Sequence, residues 1–321
     1  MTRFGFFLSC EEYTPGELVE QAVLAQEAGF EALCISDHYH PWNDEQGQSP
    51  FVWSVIGTLS QACSLPVLTA VTCPTVRIHP AVVAQAAATS SVMLDGRFVL
   101  GVGSGEALNE HILAGPWPHA QERLEMLEEA VEVMRELFTG EVVSHRGRHY
   151  TVDTARLYTL DQAPPIYMSA FGPKALEVAI RIADGFVTTQ PDAESVRAFR
   201  AAKGADAPAV AMTKVAWAPT KDEGVETAHR LWANQGLPGE LAQVLPSPQH
   251  FEQASTLVTK ESTASSVAAG NDVKDHVEAI VPFVEAGFDT VYVANMGPAY
   301  ADMIEFYGRE VLPELRSRTD P

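Results

Sequence analysis

The sequence predicts a (β/α)₈ barrel, and two observations carry that prediction. Short apolar runs alternate with amphipathic helical stretches eight times along the 321 residues. The strand runs are apolar on both faces, which requires a parallel sheet covered by helices. Eight such units with insertions match the usual size of this barrel. A doubly wound open sheet is the alternative arrangement of the same pattern.

Each predicted strand is a short apolar run that precedes a helical pattern. The first follows the N-terminus directly, and the last comes shortly before the C-terminal helical stretch. The predicted strands cover residues 4–8, 31–35, 66–71, 98–101, 166–170, 184–187, 209–216 and 290–294. The clearest predicted helices cover residues 17–27, introduced by Pro15 at a helix start, and then 51–63, 81–93 and 120–138.

Two segments interrupt the alternation and are predicted to be insertions. Residues 141–152, with Gly147 at their centre, are typical of a hairpin. Residues 236–263 are rich in Pro, Gln and Ser and lie between the seventh and eighth strands, where a loop with short helices is expected. Long loops in compact domains usually cover or bind something. No linker or internal repeat divides the chain, so one domain over residues 1–321 is expected.

The composition excludes several classes of function. The net charge is −21 and is spread along the chain, which disfavours nucleic-acid and anionic-membrane binding. The four cysteines have no metal-ligand spacing, and no other metal motif occurs, so no protein-bound metal is expected. No apolar run approaches the roughly 18 residues of a membrane span. We expect a soluble protein of the reducing cytoplasm that acts on a small molecule.

The segment 36–42, Ser-Asp-His-Tyr-His-Pro-Trp, follows the second strand. Polar side chains at the carboxyl ends of barrel strands are typical of active sites. His38 can exchange protons near neutral pH, and Trp42 can form a wall for a flat ligand. The alternative for His38 is an ordinary surface histidine. His40 is the weaker candidate, expected to be exposed or structural.

A glycine-rich segment, 101–110, follows the fourth strand and reads Gly-Val-Gly-Ser-Gly-Glu-Ala-Leu-Asn-Glu. It lacks the following acidic residue of a dinucleotide-binding fingerprint. Its small residues would let the backbone approach a ring system, and Glu106 and Asn109 would project beside that ring. The alternative for Glu106 is that it only complements a helix dipole.

Two further strand exits are candidates for contact with a ligand. Residues 69–75 follow the third strand and could present backbone to a cofactor ring or simply pack at the strand edge. Residues 169–174 lead from the fifth strand into a helix. The free amides around Gly172 suit a phosphate group, because a helix N-terminus presents unpaired N–H groups. Lys174 could add charge there.

Together these segments resemble a known family. The segments 36–42 and 101–110, Glu11 ahead of Pro15, and 183–186 (Ala-Asp-Gly-Phe) are similar to the luciferase-like coenzyme F420 (deazaflavin) oxidoreductases. The resemblance is strongest to the branch that includes F420-dependent glucose-6-phosphate dehydrogenase. It spans nearly the whole chain and implies a bacterial luciferase-like TIM barrel with insertions, in which the coenzyme lies across the carboxyl ends of the strands.

The resemblance also implies roles for individual residues. His38 and Trp42 would lie at the reacting centre, Glu106 near the deazaflavin's pyrimidine edge, and Glu11 near the substrate. The Ala70–Val71 peptide bond would be cis. The positions implied for contact with the coenzyme are Asp37, Ala70, Val71, Thr72, Gly105, Asn109, Ser169, Ala170, Phe171 and Gly172.

The implied activity is hydride transfer between C5 of the deazaflavin and an alcohol or ketone. Sugar-phosphate oxidisers of this branch carry a lysine after the sixth strand, whereas residues 188–192 here are Thr-Thr-Gln-Pro-Asp. Lys260 is the only lysine of the 236–263 insertion. A dianionic phosphate without a cationic clamp loses its charge-assisted contacts. The sequence therefore disfavours glucose 6-phosphate and favours a neutral, more apolar substrate.

Two other functions remain open at this point. An FMN-dependent monooxygenase of the same superfamily would share the fold, which cannot separate the two chemistries. A non-catalytic deazaflavin-binding protein is the second alternative, although a mere carrier has no need for the proton donors His38, Glu106 and Glu11. The resemblance also implies a homodimer.

Overall fold

The computed structural model describes residues 2–319 and contains a closed parallel barrel. Eight strands form the barrel, which closes because β8 pairs with β9. The described residues contain eleven strands in all, three of which lie outside the eight-stranded barrel. They are β1 (Arg3–Leu8), β2 (Leu33–Ile35), β3 (Val67–Thr69), β4 (Phe98–Val102), β5 (Val143–Arg146), β6 (Thr151–Ala155), β7 (Ile166–Ser169), β8 (Gly185–Thr188), β9 (Ala209–Ala216), β10 (Ala268–Ala269) and β11 (Thr290–Asn295).

The order around the barrel is β1, β2, β3, β4, β7, β8, β9 and β11, and every pairing between these neighbours is parallel. β11 returns to β1 with Arg3 opposite Thr290. This closure confirms the predicted barrel and excludes the doubly wound open sheet. The short β10 pairs in parallel with the last two residues of β9, Val215 and Ala216.

Helices follow the strands, and most of them cover the outside of the barrel. They are α1 (Pro15–Glu27), α2 (Val52–Ala62), α3 (Pro80–Met93), α4 (Ala107–Glu110), α5 (Ala120–Leu137), α6 (Pro173–Ile182), α7 (Ala193–Lys203), α8 (Lys221–Trp232), α9 (Leu241–Val244), α10 (Pro248–Ser255), α11 (Lys260–Ser266), α12 (Val273–Glu285), α13 (Tyr300–Phe306) and α14 (Leu312–Thr319). Of these, α4 and α9 border the carboxyl ends of the strands. None of these described helices is long and apolar enough to cross a membrane.

The first helix shows why local sequence fixes these elements. Thr14 caps α1: its hydroxyl accepts a hydrogen bond from the Glu17 amide, and the Glu17 carboxylate accepts one from the Thr14 amide. This reciprocal pair is a capping box, and Pro15 has the backbone angle that a helix start needs.

Two apolar layers explain why the strands are hydrophobic on both faces. Phe4, Phe6 and Leu8 of β1 point outward and pack with the helices. Phe7 points the other way and joins the barrel interior with Met212 and seven other residues. Successive strand side chains alternate in direction, so a strand between two apolar layers has no polar face.

Both predicted insertions are present. The hairpin is formed by the antiparallel pair β5 and β6, with Val143 opposite Ala155. The 236–263 segment is a loop with the short helices α9 and α10 and the start of α11. The single domain over residues 1–321 stays a prediction, and residues 1, 320 and 321 lie outside the described residues.

Candidate active site

The carboxyl ends of the barrel strands open into a cavity of about 860 Å³. It is lined by side chains from the exits of β1 to β4 and β7 to β9, and by the 236–263 segment. Most of the predicted site residues line it: Glu11, Asp37, His38, Trp42, Ala70, Val71, Gly105, Glu106, Asn109, Ser169, Phe171 and Gly172. Residues that lie far apart in the sequence thus meet around one space.

Thr72 and Ala170 are not among the lining residues. Thr72 is fully buried, and its hydroxyl donates a hydrogen bond to the Asp37 carboxylate (2.8 Å). Ala170 packs in the outer core, and its amide donates to the carbonyl of Val187 (3.0 Å). Their contact with a coenzyme therefore has no support from the geometry.

His38 lies at the inner end of the cavity with both ring nitrogens engaged. Nδ1 is 3.1 Å from the carbonyl oxygen of His40, which can only accept, so Nδ1 carries a proton. Nε2 is 3.4 Å from Glu11 Oε1 and 3.6 Å from Glu106 Oε1. The nitrogen free to exchange a proton is therefore Nε2, and two carboxylates face it.

Glu11 connects three parts of the site. Its Oε2 accepts from the Ser36 hydroxyl (2.6 Å), and its Oε1 accepts from the Trp42 indole (3.2 Å). Burial raises the pKa of Glu11, but the charges of His38 and Lys214 and the Ser36 hydrogen bond outweigh burial, so the pKa lies below its ordinary value. The carboxylate stays ionised and fixes both aromatic rings, whose centroids are 5.0 Å apart.

Asn109 joins the two sequence segments. Its Oδ1 accepts from the amides of Tyr39 (2.8 Å) and His40 (3.1 Å), and its Nδ2 donates to Glu106 Oε1 (2.6 Å). The Glu106 side chain is 26% exposed, whereas that of Glu11 is 3% exposed. Asn109 thus holds Glu106 beside His38, and most of its hydrogen-bonding capacity is used within the protein.

Asp37 belongs to an ionic cluster that the sequence analysis missed. Arg77 Nη2 is 2.9 Å from Asp37 Oδ1, and Arg77 Nε is 3.5 Å from Glu110 Oε1. Burial raises the pKa of Glu110 to about 7 despite the contacts with Arg77. Nothing in the sequence pairs Arg77 with Asp37, because the contact depends on how β2 and β3 sit side by side.

The glycines of the 101–110 segment have another role than the expected approach to a ring. A Cβ on Gly103 would lie 2.6 Å from Val71 Cγ2 and 2.8 Å from Ser169 Oγ. A Cβ on Gly105, whose φ is +74°, would lie 2.5 Å from Cys73 Sγ. The β4 exit therefore needs glycine to pack against the β3 exit, and because Gly103 and Gly105 also line the cavity, the expectation that they admit a cofactor ring stays a prediction. The Ala70–Val71 peptide bond in that exit is cis, as predicted.

Lys214 is a second cavity residue that the sequence analysis missed. It lies on β9, lines the cavity, and donates from Nζ to Ser9 Oγ (2.9 Å). Its Nζ also lies 4.6 Å from the centroid of the Phe7 ring and 3.5 Å from that of Trp232. The pattern could have revealed it, since Lys214 is the one charged residue in the apolar run Ala209–Ala216.

The opposite end of the cavity is the start of α6. Gly172 is the N-cap residue, and a Cβ there would meet no atom within 4 Å, so the space beside it is open. Lys174 and Ala175 also line the cavity. The unpaired amides at this helix start suit an anionic group. Within residues 2–319, no three His, Cys, Asp or Glu side chains are grouped so that they could hold a metal ion.

Comparison with known proteins gives consistent matches over nearly the whole chain. The family model described as luciferase-like monooxygenase matches residues 2–290. The chain is 36% identical over 330 residues to F420-dependent glucose-6-phosphate dehydrogenase of Microbacterium testaceum, covering 98% of each protein. It is 35% identical over 329 residues to the enzyme of the same name from Nakamurella multipartita, covering 98% of this chain and 97% of that one.

A solved structure is equally similar. It is an F420-dependent secondary alcohol dehydrogenase in complex with an F420-acetone adduct, with a TM-score of 0.91 and 31% sequence identity. The match covers 98% of this chain and 99% of that chain. The whole barrel and both insertions therefore correspond to a protein whose sequence is also related.

Proposed function

The chain belongs to the luciferase-like monooxygenase family, and from this premise we propose that it is a coenzyme F420-dependent oxidoreductase. The proposed reaction is hydride transfer between C5 of the deazaflavin and an alcohol or ketone. The observation that carries the proposal is the placement of His38 Nε2, which faces the cavity between Glu11 and Glu106 and lies beside the indole of Trp42.

The cavity fits a flat coenzyme with an anionic end. Ala70, Val71, Val187 and Met212 supply an apolar surface on the strand exits. The start of α6, with Lys174 beside it, offers donors and positive charge at the far end. When bound, coenzyme F420 supplies a deazaflavin that accepts or releases a hydride. We assign Asp37, Ala70, Val71, Gly105, Asn109, Ser169, Phe171 and Gly172 to the coenzyme's side of the cavity.

The residues of the inner end handle the proton. During alcohol oxidation, His38 Nε2 takes the hydroxyl proton, while Nδ1 stays bonded to the carbonyl of His40. Glu11 stabilises the resulting imidazolium and keeps Trp42 in place. Glu106, the more exposed carboxylate, would exchange the second proton with solvent. Ketone reduction uses the same groups in reverse.

The charges at the inner end favour a neutral substrate. Lys214 is the cation that lines this end, and its pKa is lowered by burial even though Glu11 and Glu12 oppose that shift. The charge of Glu11 already balances that of Lys214, so a dianionic phosphate placed beside these two residues would bring charge without a partner there, whereas Arg123 and Lys174 line other parts of the cavity. Trp42 and Trp232 instead present apolar surface. We therefore propose a small neutral alcohol or ketone rather than glucose 6-phosphate.

Parallel titration of the protein with coenzyme F420 and with FMN tests this proposal. Tryptophan fluorescence reports binding, and a Trp42→Phe variant identifies the part of the signal that arises at the site. Binding of the deazaflavin at least tenfold tighter than that of FMN supports the proposal. Preference for FMN overturns it in favour of the monooxygenase alternative. Binding of the deazaflavin without turnover on any alcohol or ketone indicates the non-catalytic carrier.

Two proposals concern the setting of the enzyme. The reducing cytoplasm suits its four cysteines, all of which are free and buried. A homodimer follows from the family resemblance, and sedimentation analysis of the purified protein would show whether the mass is twice that of one chain, 34.8 kDa.

A further inference from the structure

Lys214 is an unusual residue for the interior of a barrel. Its ammonium group has one hydrogen-bond acceptor, Ser9 Oγ at 2.9 Å, and lies over the faces of Phe7 and Trp232. No carboxylate of residues 2–319 lies within ion-pair distance of it, so its charge acts through space. Burying an ammonium group without a direct counter-ion costs free energy, which a purely structural position would avoid with an apolar side chain.

Glu11 lies two residues after Ser9, the hydrogen-bond partner of Lys214, and lines the same cavity as Lys214. It lacks a permanent counter-ion just as Lys214 does. Its side chain is 3% exposed, and its hydrogen-bond donors, Ser36 and Trp42, carry no charge. His38 can supply a positive charge only while it holds a second proton. In the proposed reaction His38 must begin neutral, and at that stage Glu11 needs another source of positive charge to remain ionised.

We propose that Lys214 is a positioning residue that supplies this charge, an inference that rests on the proposed function above. Its fixed ammonium group keeps Glu11 ionised whether or not His38 is protonated. Ionised Glu11 then holds the Trp42 indole and faces His38 Nε2 throughout the reaction. Lys214 thus acts on the chemistry through Glu11 rather than by touching the substrate.

Electrostatics at the site agree with this role. The charge of Lys214 lowers the pKa of Glu11, and the charge of Glu11 opposes the lowering of the Lys214 pKa by burial. The other titratable groups that act on Lys214 are Glu12, Cys34 and Cys10. Burial raises the pKa of the Glu12 carboxyl to about 7 and keeps both thiols protonated, so Glu11 is the main anionic partner.

Lys214→Met tests the proposal, because methionine keeps the length of the side chain and removes its charge. Removing a positive charge near a carboxylate raises the pKa of that carboxylate, by about one unit for a tenfold change in proton affinity. The measurement is a carbon-13 NMR titration of the glutamate carboxyl groups in the protein without coenzyme. Glu11→Gln assigns the resonance of Glu11.

We expect the pH at the midpoint of the Glu11 titration to rise by about one pH unit in Lys214→Met. It should return towards the wild-type value in Lys214→Arg, which restores the charge. Lys274→Met, which removes an ammonium group that is 74% exposed, is the matched control and should not move it. An unchanged midpoint in Lys214→Met would overturn the proposal.

The kinetic counterpart is a pH profile. Lys214→Met should lower kcat/KM about tenfold on the acid side, where Glu11 becomes protonated, and leave the affinity for coenzyme F420 unchanged. Equal loss at every pH would indicate a merely structural role and contradict the proposal. If the wild-type protein shows no turnover with F420, the proposed function fails, but the NMR titration still decides whether Lys214 controls Glu11.

Discussion

Ser36 and Asp37 are neighbours in the sequence, yet they lead into two very different acidic clusters. The Glu11 cluster, defined by Glu11, Ser36, Trp42 and His38, borders the cavity and receives positive charge from Lys214 through space and from a titratable histidine. In the Arg77 cluster, defined by Asp37, Arg77 and Glu110, the guanidinium contacts both carboxylates directly.

The two clusters differ in how their charges are paired, which suits the Arg77 cluster to a structural role and the Glu11 cluster to a chemical one. The Arg77 cluster is closed, because Asp37 is also bonded to Thr72 and the Glu110 carboxylate accepts from the Arg77 amide (2.6 Å). Groups paired in this way hold their position. The Glu11 cluster contains the imidazole of His38, which can gain or lose a proton, so the net charge of this cluster can change during a reaction. Acidic residues near a cavity are therefore not equivalent.

Replacing His38 should have the largest effect of any change to the Glu11 cluster. His38→Ala removes the proton acceptor, and we expect kcat to fall at least 100-fold, the usual contribution of a general acid or base being about 10²- to 10⁴-fold. The affinity for coenzyme F420, measured by fluorescence, should stay within about threefold of wild type. The control is His119→Ala, at an exposed histidine that makes no capping hydrogen bond. Wild-type turnover in His38→Ala would remove the functional distinction between the clusters.

Breaking the Arg77 cluster should instead destabilise the fold. Arg77→Met leaves the buried side chains of Asp37 and Glu110 without their counter-charge, which costs about 3–5 kcal/mol in comparable buried pairs. Urea denaturation measures the loss. Arg148→Met, at an arginine that is 70% exposed, is the control and should cost less than about 1 kcal/mol. Equal stability of the two variants would mean that the Arg77 cluster does not support the site.

A glycine pair tests the packing between the β3 and β4 exits. Gly103→Ala would place its methyl carbon 2.6 Å from Val71, so we expect a loss of about 1–3 kcal/mol in the free energy of unfolding. Gly172→Ala meets no atom within 4 Å and has φ of −162°, so it should cost less than about 1 kcal/mol, the loss expected for alanine at an N-cap. If Gly103→Ala were as stable as Gly172→Ala, the tight packing of the β3 and β4 exits would be contradicted.

The last expected effect is a pH dependence of stability that comes from Glu110, in the Arg77 cluster, and from Glu12, which follows Glu11 in the sequence. Burial raises the pKa of Glu12, near Lys214, and of Glu110 to about 7 from an ordinary value of 4.5. The folded state therefore prefers the protonated acids, a contribution fully present below pH 4.5 that is lost as the pH rises through about 7. The wild-type protein therefore loses this contribution between pH 5 and pH 8, whereas Glu12→Gln does not. We expect the free energy of unfolding of Glu12→Gln, relative to that of wild type, to rise by about 2 kcal/mol from pH 5 to pH 8.

Urea denaturation at the two pH values measures this gain. Glu110→Gln should behave in the same direction, since glutamine keeps an acceptor for the Arg77 amide. Glu278→Gln, at an exposed side chain, should show no such gain. The absence of a gain in Glu12→Gln or in Glu110→Gln would contradict the raised pKa of that carboxyl.

The sequence predicts the barrel because the pattern that specifies each strand and helix is local. Most of the site residues that it predicts do line the cavity, since the carboxyl ends of parallel strands converge at one rim. It does not predict Arg77 as the partner of Asp37, because that contact is made between two loops. Lys214 could have been found as a lone charge in an apolar strand. The packing of Gly103 and Gly105 against the β3 exit was not predicted, because their neighbours are visible only in three dimensions.

The most direct test of the proposed reaction is an isotope-transfer measurement. The protein is incubated with oxidised coenzyme F420 and small secondary alcohols that carry deuterium on the carbinol carbon, and the recovered coenzyme is analysed by mass spectrometry. We expect one deuterium per reduced coenzyme, formation of the ketone, and loss of both in His38→Ala. Coenzyme recovered without deuterium from every alcohol, while glucose 6-phosphate deuterated at C1 labels it, would contradict the proposed substrate class. Reduction of the coenzyme by none of these substrates would contradict the proposed reaction itself.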